Sequence, residues 1–229
     1  MVMSKRVHVH LILALMVIVS LSSASLSQTE KKAAYSVLID NTGSMRSQFD
    51  LVIRLSKGIV EQTYQRGPIS LFPFKSQGDK NKAVVSSDIE WSEDKTILDK
   101  YIDSIFVVPG QTNLMDGIHV IAVKLNAKVD VDKDAFEVKI IFLITDGEDR
   151  FSKISEKELI KTLKESGIKV FAIGLVNELD NESGLIRKAP RDLAVTFLEK
   201  VTKETGGRAV FPKSKKVDVG VLLDELFTK

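Results

Sequence analysis

The chain has 229 residues, with 33 Lys and Arg against 31 Asp and Glu, three His and no Cys. That length admits one ordinary domain, or at most two small ones, and 44% hydrophobic with 28% charged residues is the make-up of a soluble globular protein able to bury a full core. The missing Cys excludes disulfides, thiolate metal sites and a Cys nucleophile, and with His8 and His10 in the leading segment only His119 remains, so any metal must be a hard ion held by oxygens.

Residues 1–10 carry Lys5 and Arg6 and no acid, Leu11 to Leu21 is an apolar run, and Ser22 to Ser27 are small apart from Leu26. This is the tripartite pattern of a secretory signal, with cleavage expected after Ala24 or as late as Ser27. Residues 25–32 then form a short linker and 33–229 the working domain. The apolar run is short for a transmembrane helix, and an uncleaved anchor is the other reading. Either way the domain is expected to be secreted or periplasmic. Loss of residues 1–24 removes Lys5 and Arg6 and no acid, leaving 31 basic against 31 acidic residues. No basic field remains to attract nucleic acid, and no membrane insertion beyond the signal is expected.

Ala33 to Ile39 reads as a strand buried on both faces, ending at Asp40. Phe49, Val52, Ile53, Ile59 and Val60 recur at helical spacing up to a stop at Arg66-Gly67-Pro68. Ile69 to Phe74 is a second strand, which Pro73 pushes toward a sheet edge. Gln77 to Asn81 is a turn, and Ala83 to Trp91 its hairpin partner, with Trp91 packing at the strand's end. Ser92-Glu93-Asp94 caps a helix to about Ile105, Pro109-Gly110 breaks the chain, and Leu114 to Lys128 is helical, with His119 at its core edge or surface. Val138 to Ile144 is the strongest buried strand. After it come a helix from about Ser155 to Glu165, a strand over Val170–Leu175, a polar loop over 177–188, a helix over Arg191–Glu204, a short edge strand over Arg208–Phe211 and a closing helix over Val217–Phe227. Strands alternating with helices predict an α/β domain: a mostly parallel central sheet with one antiparallel edge strand and helices on both faces.

In such sheets ligands bind beyond the carboxyl ends of the strands, where strand order reverses. Asp40-Asn41-Thr42-Gly43-Ser44 follows the first strand, Thr145-Asp146-Gly147-Glu148-Asp149 follows the strongest, and Gly110-Gln111-Thr112-Asn113-Leu114-Met115-Asp116 lies between them, at a loop leading into a helix. Each is rich in carboxylate or hydroxyl oxygen. The alternation of Asp40, Thr42 and Ser44 lets one tight loop aim three oxygens at one point, with Gly43 expected to relieve backbone crowding. A hard cation such as magnesium takes about six oxygens, so two carboxylates and three hydroxyls leave a position for an outside anion, most simply a carboxylate from another molecule.

This set resembles the von Willebrand factor type A domain and its metal-ion-dependent adhesion site. The family pattern Asp-x-Ser-x-Ser, then a distant Thr, then a distant Asp, reads here Asp40-x-Thr42-x-Ser44, Thr112 and Asp146. The wording around Asp40 and Asp146 also looks like that of secreted bacterial members, and the resemblance covers about residues 33 to 228. One departure is Thr42 in place of Ser, which keeps the hydroxyl and adds a methyl that tightens the loop. The resemblance implies a three-layer Rossmann-like fold and no enzymatic activity. It also implies a magnesium or manganese ion held by Asp40, Thr42, Ser44, Thr112 and Asp146, and a partner protein whose Glu or Asp completes the coordination.

Taken singly, these segments have ordinary explanations. Asp40, Ser44 and Thr112 are common helix caps, Asp146-Gly147 is a common turn, and Glu148 and Asp149 read as rim charges or caps. The rival function is a magnesium-dependent phosphotransferase or phosphatase of the haloacid-dehalogenase-like type, with Asp40 as nucleophile, since Asp40 to Ser44 also looks like the phosphorylated loop of P-type ATPases. Asn41 stands where that loop has Lys, Thr42 is not the acid that the soluble phosphatases use, and the later Gly-Asp-Gly wording is missing.

Overall fold

The computed structural model describes residues 32–77, 79–131, 133–180, 182 and 189–228. The expected signal segment and most of the polar loop expected over 177–188 lie outside these residues. Among the described residues seven strands form one sheet: β1 (Lys32–Ile39), β2 (Ile69–Gln77), β3 (Asp79–Val85), β4 (Gln111–Thr112), β5 (Phe136–Thr145), β6 (Ile168–Gly174) and β7 (Ala209–Val210), in the order β4-β3-β2-β1-β5-β6-β7. β1 pairs in parallel with β2 and with β5, β6 and β7 continue in parallel, and β3 runs antiparallel to β2. The chain lays its first strands outward on one side of β1, then crosses to the other side at β5. Strand order therefore reverses between β1 and β5, the place where such sheets open a ligand crevice.

Six helices among the described residues cover the faces: α1 (Phe49–Thr63), α2 (Lys95–Ser104), α3 (Leu114–Val131), α4 (Glu156–Glu165), α5 (Pro190–Glu204) and α6 (Val219–Phe227). Alternate side chains of β5 explain the two cores. Ile141 and Leu143 pack with Leu38, Phe72 and Phe74 under α3, α4 and α5, whereas Phe142 and Ile144 pack with Val37, Ile39 and Leu71 under α1, α2 and α6. Each fully buried Phe or Leu in these layers contributes about 1.5–3 kcal/mol by leaving water. Local signals agree with the packing: Asp94 accepts from the Thr96 and Ile97 N–H groups to start α2, and Ser155 with Glu158 forms a capping box on α4.

Four expectations are corrected. Pro73 does not mark an edge, since β2 sits between β1 and β3. The Pro73 carbonyl takes the Ser86 N–H at 3.1 Å on the β3 side, where that ladder ends, so the missing donor falls at its last rung. The antiparallel strand ends at Val85, short of Trp91, which sits in a loop with φ 53° and packs under Lys128. Thr112, expected in a loop, belongs to a two-residue strand beside β3. Gly43 relieves no crowding, because a Cβ there would meet nothing within 4 Å.

Candidate metal centre

Register builds this site before any loop does. Ile39 of β1 lies opposite Ile144 of β5, and the Asp40 N–H donates to the Ile144 carbonyl at 2.9 Å. The residues that follow these strands, Asp40 and Asp146, are thereby held as neighbours at the end of the two central strands, and both are buried. Gly147 makes the turn after Asp146 possible: its φ is +80° and a Cβ would press on Ala194 at 3.0 Å.

The hydroxyls gather around Asp40. Asp40 Oδ1 accepts from the Thr42 hydroxyl at 2.7 Å and from the Thr42 N–H at 3.1 Å, while Oδ2 accepts from the Thr145 hydroxyl at 2.7 Å. The Thr42 and Thr112 hydroxyl oxygens are 3.0 Å apart. Since the one Thr42 proton goes to Asp40, Thr112 is the donor in that contact. Ser44 Oγ is 3.4 Å from Thr42 Oγ1 and stands exposed at the mouth. The five residues singled out in the sequence thus form one cluster. Neither Asp40 nor Ser44 caps the short 3-10 turn Gly43–Gln48 that follows, which has no side-chain cap. A cavity of about 190 Å³ opens in front, lined by Thr42, Ser44, Thr112, Gln111, Glu148 and Arg150.

Electrostatics leave this cluster short of positive charge. Asp146 Oδ1 accepts the Glu148 N–H at 2.9 Å, but Oδ2 is buried with no hydrogen-bond partner. Burial, then the adjacent Asp40 carboxylate, pushes the Asp146 carboxyl up from 3.8 to about 7, and the nearby Ser44 hydroxyl offsets part of this. Burial raises Asp40 too, against the hydrogen bonds from Thr42 and Thr145. Two acids held side by side in a low-dielectric crevice favour anything that adds positive charge between them. The donor set is hard oxygen throughout. Among the described residues no three His, Asp or Glu side chains converge to hold a metal, so a cation here would need the hydroxyls to complete its shell. The residues present fit magnesium or manganese in kind: carboxylate and hydroxyl oxygen, with room in front for water or a guest.

Thr145 and Asn41 shape the site without having been singled out in the sequence. Thr145, expected just after its strand, is the strand's last residue, and it holds Asp40 and accepts the Gly147 N–H at 3.0 Å. Asn41 is buried, takes the Phe74 N–H on Oδ1 at 2.8 Å, gives Nδ2 to the Phe106 carbonyl at 2.7 Å, and accepts the Val108 N–H on its own carbonyl at 2.9 Å. Asp149 caps the start of α3 through the Met115 N–H at 3.1 Å, and the Arg150 N–H donates to the Thr112 carbonyl at 3.1 Å. Glu148 pairs with the Arg150 guanidinium at 3.0 Å, so the acids after Asp146 act as cap and rim.

No protein of curated function matches the chain by sequence. Its fold is shared with proximal thread matrix protein 1 from the mussel byssus, at 14% identity and a TM-score of 0.54 over 86% of this chain and 46% of that one. The manganese-loaded TRAP protein of Plasmodium vivax aligns at 18% identity and a TM-score of 0.46, over 64% of this chain and 58% of that one. The chain spans about half the length of these two chains, and at such identities the likeness concerns fold alone. The family model of the von Willebrand factor type A domain matches residues 36–207, from within β1 to the end of α5 and the turn after it. The chain belongs to the von Willebrand factor type A domain family, whose members are adhesion and protein-interaction modules.

Proposed function

We propose that the protein binds a divalent cation, magnesium or manganese, among Asp40, Thr42, Ser44, Thr112 and Asp146, and through it a Glu or Asp carboxylate of a partner protein. The observation that carries this reading is the buried Asp146 Oδ2, an acceptor without a donor, next to a second buried carboxylate and the linked hydroxyls of Thr42, Thr112 and Ser44. A cation supplies the missing positive charge, and the 190 Å³ cavity in front of the hydroxyls leaves space for a guest oxygen. The sequence supports a setting outside the cytoplasm: Lys5 and Arg6, the Leu11–Leu21 run and the small residues up to Ala24 form an export signal. The phosphotransfer alternative has little support, because Asp40 is 0% exposed and both of its carboxylate oxygens already accept hydrogen bonds, leaving none aimed at an incoming phosphoryl group.

Thermal unfolding with millimolar magnesium or manganese tests the cation. A site filled to a hundred times Kd stabilises by about 2.7 kcal/mol, and Asp146→Ala should erase that increment while the variant still folds. An affinity capture with and without chelator tests the partner, which is expected only in the metal arm. A variant that keeps the full increment, or a partner indifferent to chelator, refutes the reading.

A further inference from the structure

Beside the hydroxyl cluster the same edge of the sheet carries a larger cavity of about 490 Å³. Its walls include Phe74 in the second half of β2, Tyr101 and Ile105 at the end of α2, and Phe106 and Val108 in the segment leading to Thr112. Phe74 and Val108 are buried, whereas Phe106 leaves 71% of its surface in water beside this opening. An aromatic ring held in solvent next to an unfilled, largely apolar cleft is the surface that a partner's side chain covers with gain, and aromatic anchors in such pockets dominate protein interfaces.

The cleft and the cation loop share one piece of backbone. Asn41 lines the cleft and immediately precedes Thr42. Its side chain holds the Phe74 N–H and the Phe106 carbonyl, and its own carbonyl holds the Val108 N–H, so it fastens both walls of the cleft to the Asp40–Ser44 loop. Asp88, bound by Lys75 and by the Tyr101 hydroxyl, closes the far end with polar groups. Asn41 and Pro109 line the cleft while their chain neighbours Thr42 and Gly110 line the cavity before the hydroxyls. A ligand carrying both a carboxylate and a bulky apolar group, joined by a short stretch of chain, suits this pair of adjoining openings.

We infer that this cleft receives a bulky apolar or aromatic side chain of the partner protein, a few residues from the acid that completes the cation's shell. The inference rests on the cation-dependent reading above and adds the second half of the recognition motif. Phe106 is the recognition residue of the cleft. Its backbone carbonyl, not its ring, is bound by Asn41, so the ring can be removed without disturbing the loop.

The test uses acetylated, amidated glycine peptides with one Glu and one Phe, separated by zero to three glycines in either order. Each has a twin with Ala for Phe, and fluorescence anisotropy reads binding to the manganese-loaded protein. In the best register the Phe peptide should bind about tenfold tighter than its Ala twin. Phe106→Ala should shrink that ratio to about threefold or less while leaving the Ala twin's affinity unchanged. Equal binding of every Phe and Ala pair, or a Phe advantage that survives Phe106→Ala, overturns the cleft with the cation site intact. Failure of all Glu peptides together with failure of manganese itself to bind in direct titration overturns the cation reading, and the cleft falls with it. Metal-dependent dimerisation abolished by Phe106→Ala assigns the cleft to a second copy of this chain and also overturns the inference.

Discussion

Replacing Asp146 by Asn should stabilise the metal-free protein and destroy its response to metal. The carboxyl is pushed from 3.8 to about 7 by burial and by Asp40. Because the folded state binds this proton more tightly than the unfolded state does, the penalty is absent below about pH 4, grows as pH rises and is complete above about pH 7. At pH 8 it amounts to about 4 kcal/mol for the ionised side chain. Asn keeps the shape and an acceptor for the Glu148 N–H, but its buried amide hydrogens return about half of that gain. A net stabilisation of about 2 kcal/mol remains, a rise in Tm of about 4–8 °C for a domain of this size. Manganese at a hundred times Kd should then lift the wild type by about 2.7 kcal/mol and Asp146→Asn not at all. Calorimetry of both proteins at pH 4 and 8, with chelator and with manganese, reads all of these quantities. If Asp146→Asn melts lower than wild type in chelator at pH 8, the argument that two crowded carboxylates await a cation is wrong. If it keeps the manganese increment, Asp146 is not a ligand.

The remaining expectations concern the same edge of the sheet. Manganese affinity should rise about tenfold per pH unit below about pH 7, where the Asp146 proton competes with the ion, and level off above; a flat profile from pH 5 in a direct titration contradicts this. Thr112→Val removes the hydroxyl 3.0 Å from Thr42 with little change of shape. It should cost about 1 kcal/mol in urea unfolding and at least about tenfold in manganese affinity, and undiminished affinity would strike Thr112 from the ligand set. Asp149→Ala unties the Met115 N–H at the start of α3 and should lower stability by about 1–2 kcal/mol, read as a shift in the urea midpoint.

How much of this was legible in the sequence depends on what kind of signal each residue carries. β1 and β5 announced themselves as apolar runs because strands buried on both faces need them, and Ser155 with Glu158 signed the start of α4. The five residues of the cluster were visible because their order follows a known pattern and each follows a strand or precedes a helix. Thr112 as a strand residue was not visible, because a two-residue strand has no periodicity to detect. Pro73 misled, since the rule against proline in a ladder is satisfied when its missing donor falls where the partner strand ends. Asn41 and Thr145 were missed for a plainer reason. A side chain that binds backbone 33 or 65 residues away, or a carboxylate 105 residues away, leaves no mark on its own neighbourhood in the chain.

Thr112 hangs from the border of the sheet by two bridges to β3, yet the turn after β5 also grips its segment, through the Arg150 N–H on its carbonyl and Asp149 on the next helix. The β2–β3 hairpin can therefore fray at its β3 strand without carrying Thr112 away from Asp40 and Asp146, because the anchoring runs inward to the middle of the molecule. In amide exchange, the Arg150 proton should outlast those of β3, and the crevice should keep its shape through fluctuations that open the rim.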